Sequence, residues 1–128
     1  MSAFAVQVRK YRDQFSGMAA HVIQRATGLL LLGYLFLHVH TIRQLRDGPS
    51  AFNAALAEFH SPFFKLLEIV LLGTVVLHAL NGVRITLLDL SIGHDRQHRM
   101  FWGYAVGAGA IVFLAGAIPM FLNSVWKR

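Results

Sequence analysis

Three apolar stretches fill most of this chain of 128 residues: about Val22 to Ile42, Pro62 to Leu90 and Phe101 to Val125. Each reaches the roughly 20 residues a helix needs to cross the hydrocarbon core of a bilayer. Charged residues are 14% of the chain, against about 25% in a soluble domain. The connections are short, so there is no separate soluble domain. The expected architecture is all-α and integral to a membrane. Residues 1–128 form one anchor-like unit with spans at about 21–43, 62–90 and 100–125.

The first residues are too polar for a cleavable signal peptide, so the first span is expected to serve as the insertion signal. With no cysteine, the chain can form neither a disulfide nor a thiolate metal site or iron–sulfur cluster of its own. The net charge of +6 does not point to nucleic acid, because the basic residues gather at the ends of the spans. Arg9, Lys10, Arg12, Arg25, Arg84, Arg96 and Arg99 lie on one side, and Arg43, Arg46, Lys65, Lys127 and Arg128 on the other. The excess places the N-terminus in the cytoplasm.

The organisation follows from breaks and turns. Residues 1–20 form a polar, basic lead, with Ser16-Gly17 as a break before the first span. Asp47-Gly48-Pro49-Ser50 is a turn. Ser50 is positioned to cap a short helix from Ala51 to Phe59, stopped by Ser61-Pro62. Gly93 to Arg99 is a short polar connection. In the third span Gly103 and Gly107 offer a small-residue surface for close helix contact, and Pro119 is expected to bend the last turns. That span has no buried ionisable group and reads as packing. Three helices make a poor container for a large cofactor, so a partner subunit completing the bundle is expected.

His78 lies inside the second span, and an ionisable ring at that depth is by default a binding residue. Imidazole is an axial ligand of haem iron, and Gly82, one turn on, would leave room for a flat macrocycle. In the first span Thr27, Leu31, Tyr34 and His38 share one stripe, while His40 lies about 160° from His38. His38 is therefore the second candidate ligand, with a satisfied helix-end histidine as its alternative. His21 and Arg25, one turn apart, mark the start of that span. Arg25 needs a lipid phosphate, a haem propionate or a quinone carbonyl there. Arg84 and Asp89 follow His78, with Asp89 about 16 Å along the axis. This order suits propionates met by Arg84 and a carboxylate delivering protons; a plain Arg84–Asp89 ion pair is the alternative. Glu68 reads as a buried hydrogen-bonding acid without a role. His38 and His78 differ in depth, so they would serve two stacked haems rather than one iron.

Two segments resemble signatures of a known family. His21-Val22-Ile23-Gln24-Arg25-Ala26-Thr27-Gly28 is similar to an HRxTG-type signature. His78-Ala79-Leu80-Asn81-Gly82-Val83-Arg84, ending at Asp89, is similar to an HxxxGxR…D signature. Both belong to the cytochrome b556 membrane anchors of succinate dehydrogenase, respiratory complex II, and the three-span layout also matches. The resemblance implies a bacterial-type inner membrane location. It also implies a second membrane anchor, an iron–sulfur subunit and a flavoprotein as partners. It makes His78 a ligand of haem b, puts Arg25 at the quinone site near the iron–sulfur subunit, and assigns a second haem ligand to His38 in two-haem forms. Gln24 stands where the family usually has histidine, His21 where serine is common, and Ile85 where some members have a second histidine.

The expected function is electron delivery from succinate, through the partner's clusters, to a membrane quinone near His21, Arg25 and Asp89. Arg25 would polarise a quinone carbonyl, His21 or Asp89 would supply protons, and haem iron would poise or relay electrons. With no flavin site, the chain would not itself oxidise succinate. The rivals are a fumarate reductase anchor running in reverse, and a haem-free structural anchor or small transporter subunit.

Overall fold

The computed structural model describes residues 3–93 and 96–126, with side chains for 4–93 and 96–123. Lys127 and Arg128, and His94 and Asp95 of the second connection, lie outside the described residues. Every regular element among the described residues is helical. Helix α1 spans Ala3–Arg43 and passes through a 3₁₀ turn, Gln44–Asp47, to the short α2, Pro49–Glu58. Helix α3 spans Pro62–Asp89. A short turn of helix, α4 (Gln97–Arg99), leads through a π-helical stretch, Met100–Ala108, into α5, Gly109–Trp126. Three of these helical segments are long and apolar enough to cross a membrane.

The expected break at Ser16-Gly17 is absent, and α1 runs straight through it. Ser16 is fully buried, and its hydroxyl donates to Arg12 O at 2.9 Å. It therefore accepts from His98 Nδ1 at 2.7 Å. The small pair is thus where α4 clamps onto α1; Asp13 adds to the clamp by accepting the His98 backbone N–H at 3.2 Å. Around this clamp lies an open cleft of about 750 Å³, rimmed by Arg9, Arg12, Arg96 and Arg99.

Caps set the other boundaries. Gly48, at φ 97° and ψ 172°, holds a conformation almost confined to glycine. It precedes Pro49 at the first position of α2, so the helix begins before the expected Ser50 cap. Ser61 caps α3 by accepting from Phe64 N at 3.4 Å, with Pro62 at the first helical position. At the far end Ser91 takes φ 63°. Ile92 N bonds Leu87 O at 2.9 Å and Ser91 N bonds Leu88 O at 2.8 Å, a Schellman closure with serine in the usual glycine position.

Helix α3 is central, packed on α1 along one side and on the third span along the other. The core is small: Ala20, Phe101 and Ala105, flanked by Ala19, Ile23, Leu80 and Val106. Alanines on α1 and on the π-helical stretch make room for the one large ring. Glycines carry the α3–α5 contact, though not those expected. A methyl group on Gly116 would meet Leu72 Cδ2 at 2.8 Å, and one on Gly109 would meet Leu80 Cδ1 at 3.3 Å. Gly103 has open space beside it, and Gly107 faces only Trp102 O of its own helix. Gly107 stands two residues before Gly109, which faces α3, and so lies on the other side of the helix.

Burial in α1 and α3 is concentrated toward one end, and along α5 it reaches Ala117. Past Gly28 no residue of α1 is buried, and none is buried in α3 before Thr74. Large apolar side chains such as Leu29, Phe36, Phe63 and Ile111 stay exposed along the spans. In a bilayer such surface belongs to lipid or to another helix.

Candidate functional site

His78 lies in the seam between α1 and α3. Its Nδ1 is 3.0 Å from Thr27 Oγ1, and its Nε2 is 3.4 Å from Gln24 Nε2. The direction of each bond follows from what its partner already does. The single hydroxyl proton of Thr27 goes to Ile23 O at 2.7 Å, shared with Gln24 O at 3.1 Å. Thr27 Oγ1 therefore accepts, and His78 Nδ1 carries the proton. Gln24 Oε1 accepts from Asn81 Nδ2 at 3.0 Å, which turns the Gln24 amide N–H toward the lone pair of His78 Nε2. Asn81, 1% exposed, also donates to Ala20 O at 2.8 Å. Asn81, Gln24, His78, Thr27 and the Ile23 carbonyl thus form one directed series of donors and acceptors.

Glycines hold the ring in place. A methyl group on Gly28 would come within 3.3 Å of His78 Cε1. The gap beside Gly82, expected to receive a macrocycle, is taken by the Gln24 amide, 3.4 Å from where a Cβ would stand.

His78, Asn81 and Arg84, three residues apart, form an inclined polar stripe from α1 toward the third span. Arg84 is 2% exposed, with its guanidinium 5.6 Å over the Phe101 ring. Its Nε and Nη2, and Asn81 Oδ1, are buried with no hydrogen-bond partner. The ring face offsets part of the cost of burying this charge; an uncompensated guanidinium remains expensive. The arrangement therefore has an anion-seeking group beside a neutral imidazole. The Arg84–Asp89 ion pair does not form: Asp89 closes α3 as an exposed residue.

The other expected residues are spread more widely. His21 and Arg25 are exposed on α1, at the level where Ala20 and Gln24 meet Asn81. Asp89 lies eight residues beyond Asn81, about 12 Å along the axis, so it does not share that level. His38 is exposed on the bare part of α1, its Nδ1 3.3 Å from the Tyr34 hydroxyl. It stands about 16 Å along the axis from Thr27, so the difference in depth from His78 is present. Glu68 is not a buried acid but pairs with Lys65 at 3.3 Å, each side chain 40% exposed. Gln24 and Asn81 were not among the expected site residues. Polar side chains spaced by three in otherwise apolar helix were the signal for them.

These features bear comparison with known proteins. Residues 3–117 match the family model described as the succinate dehydrogenase/fumarate reductase transmembrane subunit. The chain is 35% identical over 118 residues to the succinate dehydrogenase hydrophobic membrane anchor subunit of Halobacterium salinarum, covering 91% of this chain and 89% of that protein. It is 39% identical over 104 residues to the succinate dehydrogenase 2 membrane subunit SdhC of Mycobacterium tuberculosis, covering 80% of this chain and 73% of that one. A helical chain with three potential spans and matches of this extent belongs to the family of transmembrane subunits of succinate dehydrogenase and fumarate reductase.

Proposed function

We propose that this chain is the haem b-binding anchor through which a succinate dehydrogenase passes electrons to a membrane quinone. The observation carrying this reading is the pairing, inside one span, of a neutral His78 with a buried Arg84 whose Nε and Nη2 have no partner. The residues present fit a haem once the Gln24 amide, which caps Nε2 and fills the gap beside Gly82, swings aside. With Nδ1 protonated, His78 would hold the group through its Nε2 lone pair, in place of the 3.4 Å contact with the Gln24 amide. Arg84 supplies the cation that propionate groups need. Haem at this position supplies one-electron exchange.

The remaining roles fall to this chain's own residues. His78 and Arg84 hold and orient the macrocycle, while Thr27 and Gln24 hold His78. His38 is too far along α1 to share an iron with His78, so a further ligand to a haem held by His78 would have to come from a second membrane anchor. His38 is assigned to a second haem that the same partner would complete. Arg25, exposed on α1, polarises a quinone carbonyl, and His21, one turn away, supplies a proton. Asp89, nearer the surface, serves proton supply to that site rather than contact with the quinone. Electrons reach the quinone from an iron–sulfur subunit, which a flavoprotein feeds. The membrane is of the bacterial inner type, with the N-terminus in the cytoplasm.

The test is a dithionite-reduced minus oxidised spectrum of the purified complex, wild type and His78→Ala. A b-type signal that falls or vanishes in the variant is expected. A wild-type complex with no such signal sinks the haem assignment.

A further inference from the structure

We infer that Thr27 is a positioning residue for His78: its hydroxyl oxygen accepts the Nδ1 proton and so locks the imidazole tautomer that presents Nε2. This rests on the reading of His78 as a haem ligand given above, but the hydrogen-bond logic stands by itself. The Thr27 proton is committed to Ile23 O at 2.7 Å. In the opposite tautomer, the Nδ1 lone pair would face an oxygen with no proton to give. Its Nε2–H would face the Gln24 amide N–H, whose orientation Asn81 fixes through Gln24 Oε1 at 3.0 Å. Reversing the Gln24 amide would only move the conflict to Asn81 Nδ2. One tautomer therefore pairs both ring nitrogens and the other satisfies neither.

Thr27 is suited to the task. It is 7% exposed, so water does not compete for its oxygen. Back-bonding to the preceding turn fixes its χ1. Gly28 beside it brings α1 to within 3.3 Å of the ring, measured from a would-be Cβ to Cε1. A histidine ligand whose second nitrogen donates to a fixed acceptor is both oriented and made more basic, and loss of such a partner typically lowers affinity 10–100-fold.

The experiment compares the purified complex carrying wild type, Thr27→Val and Thr27→Ser. Haem affinity and the midpoint potential of the b-type signal are measured, with ring nitrogen shifts of ¹⁵N-histidine in haem-depleted complex. Wild type and Thr27→Ser should show the Nδ1–H tautomer with matching affinity and potential. Thr27→Val should lose tautomer purity and bind haem about tenfold or more weakly. Its potential should rise, because a less basic nitrogen stabilises the oxidised iron less. If Thr27→Val fails to assemble, Thr27→Cys, a smaller side chain with a weak acceptor, gives the same readout. Wild-type affinity and potential in Thr27→Val would overturn the inference. If wild type shows no b-type signal, the haem reading fails and the ring shifts decide alone: Nδ1–H lost on Thr27→Val supports the lock, and Nε2–H in wild type refutes it.

Discussion

The guanidinium of Arg84 lies over Phe101 with two of its nitrogens unpartnered, while three residues away Asn81 uses both of its N–H groups. The two residues should respond to substitution in opposite ways. Arg84→Met removes a buried, uncompensated charge, so haem-depleted protein should melt no lower than wild type and up to a few kcal/mol higher. Haem content of the same variant should fall, and thermal unfolding beside pigment content checks both halves. Asn81→Leu leaves Ala20 O and Gln24 Oε1 without their side-chain donor and should destabilise by about 1–3 kcal/mol. It should also loosen Gln24 from His78. At this scale the sequence was partly legible. His78 and Arg84 stood out as ionisable residues in apolar helix. Gln24 did not, because its part depends on Asn81 turning its amide, a contact across 57 positions of sequence.

Among the elements, the contact between α3 and α5 depends on which glycines face inward. Gly116→Val would drive a side chain into Leu72 and should cost about 1–3 kcal/mol. Gly103→Ala, facing open space, should be neutral or stabilise slightly, by up to about 1 kcal/mol. Melting temperatures of the two variants in one detergent test the contrast. The Schellman turn after α3 invites a third substitution. Ser91→Gly should raise stability by roughly 1 kcal/mol, since serine at φ 63° bears the left-handed cost that glycine avoids. The existence of three long helices could be read from hydropathy, but not the start of α1 at Ala3, far ahead of the expected span at 21–43. Their inward faces could not be read from it either. The spacing of Gly103 and Gly107 puts them on one face but does not say what that face meets, and it lies opposite Gly109, which packs on α3. Ser16-Gly17 reads locally as a break. It is helical because α4 supplies partners that no local rule contains.

For the molecule as a whole, lopsided burial is the main finding, and it accords with the expectation that three helices need a partner. His38 lies on the bare half, so His38→Ala should leave the His78-dependent signal intact and remove only a second component of the reduced spectrum. Orientation can be checked independently, because the chain has no cysteine. Val6→Cys should resist an impermeant maleimide in spheroplasts, while Arg46→Cys should react. The positive charge balance is what predicts that orientation from the sequence; the bare half became legible only once the helices were packed. The continuity of α1 has a geometric consequence. Its 41 residues extend about 61 Å, roughly twice the hydrocarbon thickness. Even tilted by about 40°, such a rod reaches about 47 Å along the bilayer normal, so the turns that carry Arg9, Lys10 and Arg12 stand beyond the hydrocarbon, at the level of the lipid headgroups.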